Sequence, residues 1–272
     1  MNSRRMWAIA ANELRQVVRG RDYLVPLGLL ALLFFVVIPL ILLGLIAGIE
    51  NNETIEAVSV IVDTLPASAQ ENIQGDTEGA RASYALAVYL LAPIAIVVPL
   101  TIASAVGATA VVGERERGTG EFLAHSPATE REIYTGKLVA SLIPGYVATI
   151  GGFAIYSLVV NATVGPGVGG WFFPTPEWVV LIVWVVPPFL AMALAVIVMI
   201  SARVKTAAAA QQASQLVTLP VILLAYGVAT GLLFNAVSAA VVIGALAWGA
   251  AGVGLARGAR SVSRERLLGA DS

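Results

Sequence analysis

Five stretches of this chain contain no Asp, Glu, Lys or Arg, and their lengths decide what it can fold into. They cover 23–49, 82–113, 138–176, 178–202 and 206–256, or 27, 32, 39, 25 and 51 residues. A bilayer core about 30 Å thick takes roughly 20 helical residues at about 1.5 Å each. Each stretch is therefore long enough to span it, and the last is long enough for two spans. The bulk composition agrees, with 58% apolar and 12% charged residues, against roughly 45–50% and about 25% in a soluble domain. So little charge cannot cover a water-soluble globule of this size. The reading is an all-α, polytopic membrane protein, which excludes a soluble enzyme, a secreted scaffold and a β-barrel.

The apolar runs predict six spans, at 24–48, 84–112, 136–160, 178–202, 211–233 and 236–256, in one transmembrane domain covering 1–272. The first run is too long for a secretory h-region and no A-x-A-like site follows, so it reads as a retained span. Ahead of it, 3–21 predicts an interfacial amphipathic helix. At about 100° per residue, Met6, Trp7, Ala10, Leu14, Val17 and Val18 fall within an arc of about 120°, opposite Arg4, Arg5, Asn12, Arg15, Gln16 and Arg19. Such a helix lies in the headgroup plane with its arginines toward anionic lipid. The alternative is a cytosolic helix packed on another domain.

Between the spans, Val164–Pro176 reads as a Gly/Pro-rich loop whose Trp171, Phe172 and Phe173 form an aromatic belt with Trp178. A Phe234-Asn235 turn splits the last long run. The 50–81 loop carries Glu50, Glu53, Glu56, Asp63, Glu71, Asp76 and Glu78 against Arg81. It reads as a solvated cap or as a cation-attracting vestibule. Asn161-Ala162-Thr163 fits the N-x-[ST] pattern.

Orientation follows from the basic residues. Six spans place Arg4, Arg5, Arg15, Arg19, Arg21, Arg115, Arg117, Arg131, Lys137, Arg203, Lys205, Arg257, Arg260, Arg264 and Arg266 on one side and Arg81 on the other. The positive-inside bias assigns the fifteen to the cytoplasm, with both termini and the 257–272 tail. The expected location is the plasma membrane.

The span interiors lack ionisable side chains, whose presence usually marks an ion or proton pathway. A proton-coupled carrier, a voltage sensor and an ion pump are disfavoured accordingly. The chain has one histidine, His125, and no cysteine. Multi-histidine and thiolate metal sites, intramembrane proteolysis of the H-E-x-x-H kind and disulfides are therefore not expected. A net charge of −1 suggests no nucleic-acid partner. The nearest approach to a phosphate-binding G-x-x-x-x-G-K-[ST] loop is Gly136-Lys137, with Arg131 where the first glycine belongs and Leu138 in place of the hydroxyl residue. ATP chemistry must come from another chain, and no cofactor is expected in this one. Thr101, Ser104, Tyr146, Gln211 and Gln215 are candidates for lining a translocation path. The alternative is interhelical hydrogen bonding, worth on the order of 1 kcal/mol each.

The informative segment is 113–132. Glu114, Arg115, Glu116, Arg117 and Glu121 alternate in charge, Gly118 and Gly120 interrupt the helix, and Phe122 with Leu123 offers an apolar knob. Pro127 breaks the chain again. Thr129-x-x-Glu132 is a capping box that starts the next helix. A short, mixed-charge, aromatic-tipped helix on the cytoplasmic face suits docking into a partner's groove.

Gly113-Glu-Arg-Glu-Arg-Gly-Thr119, followed by Glu121, Leu123, Pro127, Glu132 and Gly136-Lys137, resembles the G-E-[KR]-E-x-G-T-x-E-x-L segment of ABC-2 family permeases. These are the membrane subunits of type V-like ATP-binding-cassette transporters, mostly exporters. One departure is Gly120, where the family more often has a helix-forming apolar residue. The resemblance implies a coupling helix at 113–132 seated in a cytoplasmic ABC ATPase, which would bind ATP and magnesium. It further implies a homodimer or heterodimer of permease halves, and it makes Glu114, Arg115, Glu116, Arg117, Gly118, Thr119, Glu121, Phe122 and His125 the ATPase-facing group. The competing reading is a membrane anchor that recruits a soluble partner without moving a substrate; a secondary carrier is disfavoured by the uncharged spans.

Overall fold

A computed structural model of the protein describes residues 2–48, 56, 59–60, 62–63, 65–233 and 237–258. Glu50, Glu53, the Phe234-Asn235 turn and the tail beyond Gly258 lie outside the described residues. The described chain is all helical. Helix α1 (Ser3–Arg19) is followed, after Gly20, by α2 (21–48). Then come the short α3 (Ala67–Glu71), the long α4 (Glu78–Ala108), and two helices of five residues each, α5 (Val112–Glu116) and α6 (Gly120–Ala124). Helix α7 (Glu130–Thr163), the single turn α8 (Gly165–Val168), α9 (Pro176–Ser201), α10 (Ala207–Leu233) and α11 (Val237–Gly258) complete the order.

Six of these helices are long and apolar enough to cross a membrane: α2, α4, α7, α9, α10 and α11. They match the six expected spans, with shifted ends. Helix α4 begins at Glu78, ahead of the charge-free stretch, and stops at Ala108 because Thr109–Val111 turn the chain before α5. The long uncharged run is therefore not one continuous helix. Helix α7 starts on its capping box, the Thr129 hydroxyl accepting from Glu132 N–H and the Glu132 carboxylate accepting from Thr129 N–H, and runs 34 residues.

The spans are unequal in burial. Over their most apolar windows α4 is 72% and α9 67% buried, whereas the other four are 22–33% buried. Helix α4 packs on α7, α9 and α10, and α9 packs on α4, α7, α10 and α11. Two central helices are thus wrapped by four whose outer faces remain open, including Leu216, Leu223 and Leu246 at 67–74% exposure. Leucine so exposed belongs against lipid or another chain.

Proline occurs inside five spans: Pro26 and Pro39 in α2, Pro93 and Pro99 in α4, Pro144 in α7, Pro187 and Pro188 in α9, and Pro220 in α10. Each removes a backbone donor, which neighbouring helices must offset in lipid. The clearest case is in α4, where a π-helical turn at Leu86–Leu90 precedes Pro93. The Val88 carbonyl there accepts from Trp178 Nε1 at 2.9 Å, and the Ala87 carbonyl from the Tyr156 hydroxyl at 2.6 Å. Trp178 stacks on Tyr156 (ring centroids 5.5 Å apart) and meets Phe173 edge-on at 5.1 Å. Phe173 and Trp178 are therefore core residues, not members of an interfacial belt; Trp171, 69% exposed, is the ring that faces outward.

Asn161 pins this aromatic loop. Its Oδ1 accepts from Phe172 and Phe173 N–H, both at 3.0 Å, and its Nδ2 donates to the Phe173 carbonyl at 2.6 Å. With its amide committed and 7% exposed, Asn161 is a structural residue and not an accessible glycosylation acceptor.

Helix α1 lies along α7. Ala10 is fully buried there, and a Cβ on Gly136 of α7 would stand 3.0 Å from Ile9 and from the Met6 carbonyl. Trp7 and Val18 stay 53% and 64% exposed. The amphipathic helix thus has one face on the bundle and part of its apolar arc outside it.

Candidate functional site

The charged segment after α4 folds as two short helices around Gly118, whose φ of +70° is a left-handed conformation that glycine adopts without a side-chain clash. The break between the two helices falls at Gly118, and Gly120 opens α6. The end of α4 is anchored from α9: the Ser201 hydroxyl accepts from Val111 and Val112 N–H at 3.1 and 3.2 Å, caring for donors at the start of α5. The Arg115 guanidinium reaches the other way and donates to the Val204 and Ser201 carbonyls. Glu116 accepts from Ala207 N–H at 2.7 Å and so caps α10. Three successive polar contacts therefore fasten α5 to the α9–α10 junction.

A buried ionic cluster fastens the same helix to α1 and α7. Lys137, with no exposed side-chain surface, donates to Glu13 of α1 and, at 3.3 Å, to Glu114 of α5. Thr119 donates to the Glu114 carboxylate, and Arg117 stands 3.7 Å from it. Two carboxylates share one buried ammonium, with the half-exposed Arg117 reaching Glu114 alone, so burial of Glu13 is compensated less completely. Burial pushes the Glu13 carboxyl above its ordinary 4.5, and the opposing Lys137 charge does not cancel this. Burial also pushes Glu114 upward, but the Lys137 charge and hydrogen bonds from Thr119, Glu13 and Lys137 outweigh it and hold Glu114 below 4.5. The two carboxyls are thus pushed apart, Glu13 toward the protonated form and Glu114 toward the charged form. A cavity of about 250 Å³ lined by Glu13, Gln16, Thr109, Arg117, Lys137 and Ser141 opens beside the cluster, polar and roomy enough for water.

Two further contacts tie the N-terminus to the start of α7. Asn2 N–H donates to Glu132, and Arg5 donates to the Pro127 carbonyl at 2.8 Å. At the same end, a Cβ on Gly258 of α11 would fall 2.0 Å from the Tyr134 hydroxyl, so the last helix also closes here.

The expected ATPase-facing group divides in two. Phe122 is 80% exposed, and Glu116, Arg117, Gly118, Thr119, Glu121 and His125 are exposed around it. Glu114 is only 5% exposed and faces the lysine, while Arg115 is partly buried against the α9–α10 junction. Those two face inward; Glu116, Arg117 and Thr119 are exposed yet still bonded to the bundle or to Glu114, and Gly118, Glu121, Phe122 and His125 complete the outer surface. His125 Nδ1 stays with the Glu121 carbonyl at 2.9 Å, closing the end of α6.

The candidate path residues do not gather round one channel. Ser104 and Thr218 are buried and hydrogen-bonded to each other at 2.8 Å between α4 and α10. The Thr101 hydroxyl donates to Val97 of its own helix at 2.7 Å, and Tyr146 packs against the core. Gln211 lines an open groove with Pro26, Leu27 and Thr109, and Gln215 is exposed.

Glu13, Lys137 and Ser201 carry this architecture, yet the sequence marks Lys137 only as a basic residue of the cytoplasmic side and within the Gly136-Lys137 motif, and the other two not at all. Signals existed for two of them. Glu13 is the lone acid among residues 1–21, and Lys137 is the last charge before 39 uncharged residues.

The family model for the ABC-2 family transporter protein matches residues 7–240, most of the chain. This chain belongs to the ABC-2 transporter family. No curated protein matches it. ABC-2 membership makes the chain a multi-pass membrane component of a transporter, of a kind whose members lack the ATPase domain, and implies partnership with an ABC ATPase. Among the described residues no group of His, Asp and Glu is arranged to hold a metal ion.

Proposed function

We propose that this ABC-2 protein is the permease half of an ATP-driven exporter, pairing with a second permease chain and receiving force from a separate cytoplasmic ATPase at residues 115–125. One observation carries the reading: the exposed, Phe122-tipped ledge of α6 follows directly on α5, which is fixed by charge and hydrogen bonds to three spans and, through Lys137, to α1. A docking surface only transmits force if what lies behind it does not yield. Here Glu114–Lys137 leads to α7, Ser201 to α9, Glu116 to α10, and the chain itself to α4. ATP and magnesium belong to the partner, whose closure would push on the ledge and shift the bundle between two discrete packings. The basic residues gathered at this end support its assignment to the cytoplasm. Pairing is supported by α10, where exposed Gln212 and Gln215 lie beside exposed Leu216 and Leu219. Glutamine facing lipid alone is costly, so a second chain or a water-lined path suits that face better.

The test is reconstitution with the cognate ATPase. Phe122→Ala and Glu121→Arg are expected to leave insertion and folding intact while lowering substrate-stimulated ATP hydrolysis and transport at least tenfold. Wild-type transport and ATPase binding by both variants would remove the docking assignment.

A further inference from the structure

At the end of the bundle remote from the docking ledge lies a second cavity, of about 230 Å³, lined by Asn72, Gln74, Tyr84, Tyr89, Phe172, Thr175 and Glu177 among others. The geometry points to a binding site for a small organic ammonium ion.

Size comes first. The volume equals roughly eight waters at about 30 Å³ each and falls below the roughly 300 Å³ at which drug-sized pockets begin. A trimethylammonium group with a short tail is the scale of occupant it admits.

Charge comes next. The wall contains one carboxylate, Glu177, and no basic residue. Glu177 is also the sole charged residue between Lys137 and Arg203. The ion pairs among the described residues involve Glu13, Glu114, Arg117 and Lys137, and Glu177 belongs to none of them. The nearby Arg81 is occupied with the Ile73 carbonyl at 3.3 Å and is not part of the wall. An acid at the first turn of α9 also suits the helix dipole, which explains why it is tolerated but not why aromatic rings surround it.

The rings supply the recognition. Tyr84 and Phe172 stack with centroids 5.0 Å apart, and Tyr89 joins them in the wall. Rings beside a carboxylate are the chemistry that holds an alkylated ammonium, through cation–π attraction and charge pairing. Phe172 is held in position by its N–H bond to Asn161 at 3.0 Å, so the wall is formed in advance. The buried Thr175 hydroxyl, also in the wall, has no hydrogen-bond partner among the described residues. An unsatisfied buried hydroxyl is unfavourable, and an ammonium N–H, a ligand hydroxyl or a water would satisfy it. In sequence, Glu71, Asp76 and Glu78 flank the lining residues Asn72 and Gln74 and outnumber Arg81, which favours a higher local cation concentration. The acidic loop then acts as the vestibule of this site.

The test is calorimetric titration of the intact protein, without ATPase, in nanodiscs of phosphatidylglycerol, using choline and tetramethylammonium as probes. The uncharged isostere 3,3-dimethylbutan-1-ol serves as control. Saturable binding of both cations is expected, with the neutral isostere and Glu177→Gln each weaker by roughly tenfold or more. Repeating the titration in phosphatidylcholine nanodiscs separates the sources. Suppressed choline binding makes a lipid headgroup the occupant, and unchanged binding makes it a free ion; both uphold the site. Should Glu177→Gln fail to fold, Tyr89→Leu must weaken binding while Tyr89→Phe retains it. No saturable binding, or equal binding of the neutral isostere, or equal binding to a folded Glu177→Gln protein, would overturn the proposal.

Discussion

At the scale of residues, the lysine shared by Glu13 and Glu114 makes the attachment of α1 dependent on protons, with a sign that can be worked out. The docked helix raises the pKa of Glu13, so docking takes up a proton. That stabilisation is complete once the pH has fallen to the ordinary 4.5, and it is lost as pH rises through the elevated value. Glu114 is shifted downward, so its contribution is present above 4.5 and disappears only as pH falls further, through its depressed value. Protection of α1 amides against hydrogen exchange, corrected for the intrinsic rate, should therefore decline as pH rises above 4.5 in the native chain. In Glu13→Gln it should stay flat over the same range; an unchanged slope in the variant would assign the effect elsewhere. The exposed half of the 115–125 segment was legible in sequence as a displayed surface because alternating charge, two glycines and a lone phenylalanine are local signals. The inward half was not, because Glu13, Glu114 and Lys137 meet across 124 and 23 positions, and a single sequence does not encode pairing at such distances directly.

At the scale of elements, the spans were legible because bilayer thickness sets a length that charge-free runs reveal. Their internal irregularities were not. The π-helical turns at Leu33–Val37, Leu86–Leu90 and Leu181–Val185 depend on what packs beside them, as the Trp178 and Tyr156 bonds to α4 illustrate. Close helix approach is equally a tertiary matter. A Cβ on Gly145 of α7 would lie 2.7 Å from Ala103 Cβ and 3.2 Å from the Pro99 carbonyl of α4. Neither is the end of a flexible side chain, so the helices themselves must separate. Gly145→Val should cost about 1–3 kcal/mol, lowering the thermal unfolding midpoint in detergent. Gly151→Val, where nothing stands within 4 Å of the added Cβ, should not. Equal midpoints for the two variants would contradict the packing of α4 against α7.

At the scale of the whole molecule, the environment does not meet all six spans equally. Helices α4 and α9 form the interior, while α2, α7, α10 and α11 present most of the outer surface. The uncharged part of α7, from 138 to 163, is about 39 Å long if straight, beyond a hydrocarbon core of about 30 Å. A long helix answers a thinner bilayer by tilting, at a cost of fractions of a kcal/mol per Å of mismatch. The inner pair, shielded by its neighbours, would register such a tilt only through them. Because α7 also carries the lysine that grips α1 and α5, the proposed coupling predicts a response to acyl-chain length. Reconstitution across lipids of increasing chain length should shift coupled ATPase activity through a maximum, while the Phe122→Ala protein shows no such dependence.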